Sequence, residues 1–264
     1  MMNMLTRKFA AGWVLGIEDF KSFWNWKTWT FGWLLRIATT GLSIVLIGSL
    51  LGSRASLEYL LIGNVVLSGC IGALFAVMAT TWSRLDGTYP LLVIAPSHPL
   101  PAIIGRTIVW MLQGIATSFA VLIIYLVLFK ISFTASQLLL TGFGIIITNL
   151  STYAFAFFLG AIVARFPSMR SVVFNSTGSL LAAFCGATVP INFWPEIWRW
   201  TLHFLPTANA LIAIRSSLNN VPLSEAYIYL GYEFLIALLW GGLGALIIEY
   251  MINAGRADGS IQYE

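Results

Sequence analysis

Residues able to do chemistry are few in this chain of 264 residues, and the densest group of them is Arg84, Leu85, Asp86, Gly87 and Thr88. An arginine two positions from an aspartate suits charge-assisted contacts with another surface, and the glycine beside them permits a sharp turn. Pro96 and Pro99 follow and set the angle at which the chain returns to Gly105 and Arg106. A second basic pair, Arg165 and Arg170, brackets Pro167. Catalysis finds no comparable support. The chain has no GxxxxGK[ST] loop for nucleotide phosphates, no HExxH, no CxxC and no nucleophile elbow, so neither a catalytic nor a metal-binding residue is assigned. His98 and His203 have no carboxylate cluster near them in sequence, and Cys70 and Cys185 sit in apolar runs as small buried side chains.

Two ionisable residues interrupt apolar runs, Arg36 and Glu233. Arg36 lies near a run's end and can snorkel to the surface. Glu233 is expected to pair with Arg215 or Arg199 in a structural role. The alternative is proton or substrate coupling, because ion-coupled carriers use membrane-embedded carboxylates.

The elements that must position these residues follow from composition. Hydrophobic residues are 59% of the chain and charged residues 9%, with mean hydropathy +0.87. A soluble domain needs roughly 25% charged residues to cover its surface. A β-barrel would alternate apolar and polar residues, whereas these runs are continuous. The fold class expected is all-α and polytopic, a single membrane domain over 1–264 with six spans near 30–51, 57–80, 103–129, 138–164, 172–189 and 226–251. The net charge of +4 is scattered among loops, which argues against a nucleic-acid partner. With the N-terminus inside, nine basic residues fall on inner segments and four on outer ones, so both termini are expected on the cytoplasmic side of the cell membrane. The stretch 81–101 then lies in the cytoplasm, as does 165–170.

Two segments outside the spans have their own character. Residues 1–29 carry too many charges for the apolar region of a cleavable leader. Phe9, Trp13, Ile17, Phe20, Phe23 and Trp24 recur there at helical spacing, which predicts an amphipathic helix at the lipid interface. Residues 190–225 are broken by Pro190, Pro195 and Pro206, so one straight helix is excluded. Two short helices that dip in from the outer surface and return fit that pattern. No internal repeat is visible, inverted or parallel.

The order of these parts resembles the transmembrane subunit of ABC exporters of the type-2 permease family. The resemblance rests first on Arg84, Asp86, Gly87, Thr88, Leu91, Leu92, Pro96, Gly105 and Arg106. It rests second on Gly186, Pro190, Trp194, Pro195, Leu205, Pro206, Ala210 and Arg215. The family often has more acidic residues just before the loop glycine than the single Asp86 found here. The resemblance implies that Arg84–Thr88 belong to a coupling helix resting on a separate cytosolic ATPase, with Arg165 and Arg170 as a second contact. It implies a second copy or a related permease as partner, besides membrane lipids. It places ATP and magnesium on the ATPase, leaving this chain without a cofactor or enzymatic activity of its own.

A pathway between permeases, lined by the first, second and fifth spans, is part of the same implication. Polar and aromatic candidates there are Ser43, Asn64, Ser68, Phe75, Asn175, Thr177 and Ser179. An amphiphilic small molecule, drug or peptide is the cargo such residues suit, and a lipid-linked glycan is the alternative. An ion-coupled carrier or channel using Glu233 remains a competing class, and a membrane-embedded enzyme lacks the clustered ionisable residues it would need.

Overall fold

The computed structural model describes residues 4–50, 53–87, 98–131, 133–218 and 222–258, and every regular element among them is helical. Helix α1 (Met4–Phe23) ends before a seven-residue π-helical stretch, Thr28–Leu34, which runs directly into α2 (Leu35–Leu50). Asn25 and Thr28 satisfy each other's backbone at this join, each side-chain oxygen accepting from the other's N–H at 2.9 Å. Helix α3 (Arg54–Ala73) is capped by Ser53 and leads into α4 (Ala76–Leu85) through a tight break at Leu74 and Phe75. Helix α5 (Leu100–Phe129) starts at prolines, whose missing N–H is harmless in a first turn. Helix α6 (Ala135–Val163) opens with a capping box between Thr134 and Gln137. A 3-10 turn, Pro167–Met169, leads into α7 (Arg170–Phe184). Two short helices, α8 (Glu196–Leu202) and α9 (Ala208–Leu218), precede the long α10 (Leu223–Asp258).

Among the described residues, five helical stretches are long and apolar enough to cross a bilayer: Thr28–Gly48, Arg54–Leu85, Leu100–Phe129, Ala135–Val163 and Leu223–Ala254. The expected fifth of six spans, 172–189, differs. Its helix, α7, has 15 residues, about 22 Å of length against a hydrocarbon core of about 30 Å. Gly186 ends it in the left-handed region at φ 81°, a conformation that glycine alone adopts freely. The chain then turns through a 3-10 segment, Ile191–Phe193, started by Pro190.

Helix α3 is the axis of the molecule, packed against α2, α5, α6, α7 and α9. The α3–α4 span is 83% buried and the α10 span 28%, so α10 is an outer wall with many exposed apolar side chains. Small residues let the inner helices approach closely. A Cβ at Gly69 would lie 2.7 Å from the carbonyl oxygen of Gly114 on α5. The same device docks α1. Gly12 and Gly16 face the carbonyls of Ala102 and Arg106, and Gly105 faces that of Phe9, all too close for a Cβ. The N-terminal helix therefore lies along the first turns of α5, with Trp26 just past its end 71% exposed.

Candidate functional site

Helix α4 ends at the polar cluster. The Asp86 N–H bonds the Trp82 carbonyl at 2.8 Å and the Gly87 N–H bonds that of Arg84 at 3.2 Å. Gly87 takes φ 68° with open space around its Cβ position, so backbone conformation alone demands the glycine. Leu85 is 49% exposed and the Asp86 carboxylate is also exposed. Thr88, Leu91, Leu92 and Pro96 lie outside the described residues.

Arg106 holds this end together. Its Nε donates to Asp19 Oδ2 at 2.5 Å and its Nη2 to Asp19 Oδ1 at 3.1 Å, a bidentate pair. The same Nη2 donates to Asp86 Oδ2 at 2.9 Å. One largely buried guanidinium thus ties α1 and the tip of α4 to α5. The second basic segment is brought to the same place, because α4 packs against the turn Pro167–Met169. Arg165 is exposed there, Arg170 is half-buried, and Phe166 and Met169 present apolar side chains to the surface. Leu85, Phe166 and Met169 are thus exposed apolar side chains among charged ones at this end.

Phe75 belongs to a ring cluster rather than to an open surface. It stacks on Trp110 at 5.0 Å and lies 4.9 Å from Phe174 and 5.4 Å from Trp33. Trp82 touches Trp110 at 5.5 Å and Phe23 at 5.2 Å. These rings run without a gap from the tip of α4 to α7, and each pair contributes about 0.5–1.5 kcal/mol beyond its burial.

The polar candidates divide by burial. Asn64, Ser68 and Thr177 are buried, with Asn64 and Ser68 bonding carbonyls of their own helix. Ser43, Asn175 and Ser179 are exposed. Ser43 shares a face of α2 with exposed Arg36, Thr39 and Thr40, and Asn175 and Ser179 share one of α7 with exposed Ser171. Helix α2 rests on α3, and α7 on α3 and α4, so both polar stripes border the same central span.

At the opposite end, Arg215 takes up the carbonyls released where α7 stops. It donates to Gly186 at 2.6 Å, Ala187 at 3.3 Å and Tyr59 at 2.9 Å, and its guanidinium lies 3.4 Å over the Tyr59 ring. Tyr59 Oη donates to the Gly186 carbonyl as well. Arg199 donates to the carbonyls of Trp194 and Asn192. Neither arginine pairs with Glu233, contrary to expectation. The fully buried Glu233 carboxylate accepts instead from the backbone N–H groups of Thr207 at 2.6 Å, Asn209 at 3.2 Å and Ala210 at 3.3 Å, and from the Ser151 hydroxyl. It satisfies the open N-terminus of α9 from a different helix, where donors and the helix dipole both favour an anion. Pro195 starts α8, and Pro206 precedes Thr207, which is held at φ 88°.

Sequence reasoning missed Asp19 as a partner of Arg106, and Ser151 and Thr207 as partners of Glu233. The sequence signal for the first was no more than an acidic pair, Glu18 and Asp19, on the N-terminal helix. Among the described residues no three of His, Cys, Asp or Glu gather as a metal site. No curated protein matches the chain. A family model does, and it covers residues 13–219, from α1 through the loop at Asp86 and the Gly186–Arg215 segment. By that match over most of its length the chain belongs to the ABC-2 type transporter family of membrane permeases.

Proposed function

We propose that this chain is the membrane subunit of an ATP-driven exporter, coupled to a separate cytosolic ATPase that binds the end bearing Asp86. The observation that carries the proposal is the geometry at that end. Arg84, Leu85, Asp86 and Gly87 form a sharply turned, partly exposed tip beside Pro167–Met169 and are tied by Arg106 to α1 and α5. A push on the tip is then delivered to three helices at once, and through the stacked rings to α7. In this reading Arg84–Thr88 with Arg165 and Arg170 form the ATPase contact, and ATP and magnesium stay on the partner chain.

The same reading places both termini in the cytoplasm and divides the single domain into an N-terminal helix at 1–29, a coupling loop at 81–101 and an outer segment at 190–225. Helix α1 lies at the inner interface. Helix α7 with the turn after it serves as a shortened fifth of six crossings, and α8 and α9 form an outer re-entrant pair that Glu233, Arg215 and Gly186 hold in place. Two permeases, identical or related, meet along α2 and α7, and the cargo is an amphiphilic molecule moving between their polar stripes. Helical hydroxyls that bond their own backbone leave lone pairs facing such a path.

The test is co-expression with a cognate ATPase. Asp86→Ala and Gly87→Val are expected to weaken ATPase retention or to break the link between ATP hydrolysis and transport. Transport that persists without any ATPase would sink the proposal.

A further inference from the structure

Arg36 is a cation inside a membrane-crossing stretch. Among the described residues it has no hydrogen-bond or acidic partner, and its guanidinium lies 5.4 Å over the ring of buried Trp33. It is exposed within the span Thr28–Gly48. It lies eight positions past the start of that span, at most about 12 Å along the helix. A guanidinium at such depth is costly against lipid and settles beside water, an acid or an anion. The hydroxyls beside it do not neutralise it: Thr39 donates to the Leu35 carbonyl, Thr40 to that of Arg36 and Ser43 to that of Thr40, and none of the three carries a charge. Helices α2 and α7 contain no aspartate or glutamate, and the one other charge on either is Arg170 at the start of α7. The two polar stripes together are therefore cationic, and a second copy would double that charge instead of neutralising it.

We infer that the transported molecule carries an anionic group, a carboxylate or a phosphate on an apolar body, and that Arg36 receives this group within the pathway. The planar fork of arginine matches both anions bidentately. The Trp33 ring backs the guanidinium, and the exposed Leu46, Ile47 and Leu50 farther along α2 offer contacts for an apolar body. This inference rests on the pathway reading given above.

The test needs no ATPase. The full chain is placed in nanodiscs of phosphatidylcholine, and binding of dodecyl phosphate and dodecanoate is compared with that of uncharged dodecanol, each corrected for empty discs. The two anions are expected to bind roughly tenfold or more tightly than the alcohol, the gain of one charge-assisted pair. Arg36→Lys is expected to keep part of the preference and Arg36→Gln to erase it. Equal binding of the three probes to the unaltered chain overturns the inference even if the variants fold poorly, and so does a preference that survives in Arg36→Gln. Displacement of the anionic probes by phosphatidylglycerol in the disc also overturns it, by assigning the site to a bilayer lipid. Failure of the chain to work with an ATPase is a separate measurement that touches only the export reading.

Discussion

Glu233 on α10 accepts a hydrogen bond of 2.6 Å from the backbone N–H of Thr207, so a carboxylate buried in a membrane span caps a helix that belongs to another part of the chain. Thr207 is a β-branched residue at φ 88°, an unfavourable conformation that persists only where its surroundings over-determine it. Glu233 provides that constraint, together with Ser151 and two further N–H groups.

Glu233→Gln puts an amide donor among four donors, and we expect it to lower stability by about 1–3 kcal/mol, the cost of unsatisfied buried groups. Thermal unfolding of the purified protein should show the loss, with Glu233→Ala at least as severe. A proton-coupling role predicts the opposite pattern, with transport abolished and Tm unchanged.

The Arg106 clamp has unequal arms. Asp19 is bidentate and mostly buried, whereas Asp86 makes one contact and is half-exposed. A double-mutant cycle between Arg106→Gln and Asp19→Asn should give about 1.5–3 kcal/mol of coupling, as for hydrogen bonds to charged groups. The cycle with Asp86→Asn should give about 0–1 kcal/mol, as for surface pairs. Chemical denaturation in detergent reads both, and equal couplings would contradict the geometry.

Gly12→Val should separate α1 from α5, since even a Cβ there collides with the Ala102 carbonyl. The cost expected is about 1–3 kcal/mol of overpacking, with faster proteolysis around residues 24–27. Gly231→Ala on α10 is the control, because nothing lies within 4 Å of its Cβ position. An unchanged cleavage rate in Gly12→Val would mean that α1 is not docked.

Gly87→Ala separates folding from coupling. Its Cβ meets no atom, so the penalty is that of a left-handed backbone alone, about 1 kcal/mol. The expected outcome is near-normal stability with a measurable fall in ATPase stimulation by the permease, checked by comparing Tm with hydrolysis rate in the reconstituted complex.

Much of the architecture was legible because membrane spans announce themselves locally. Continuous apolar runs, the turn at Gly87 and the breaks at Pro190, Pro195 and Pro206 each depend on neighbours within a few residues, and the structure places helices and turns accordingly. Run length alone did not show that the helix within 172–189 stops at Phe184. Hydropathy does not register that Gly186 adopts a left-handed conformation, nor that Arg215 donates a hydrogen bond to its carbonyl.

What the sequence by itself determined is the class of molecule, most of its spans and the location of its polar tip, because these follow from local composition and turn chemistry. Only the tertiary structure decided that Glu233 caps α9 in place of an arginine pairing, that Arg106 joins Asp19 to Asp86, that Phe75 is locked among tryptophans, and that Arg36 is left facing outward. Each of those outcomes joins residues distant along the chain or depends on which face of a helix is covered. In a chain that is apolar nearly all round, helical periodicity carries too little contrast to reveal either.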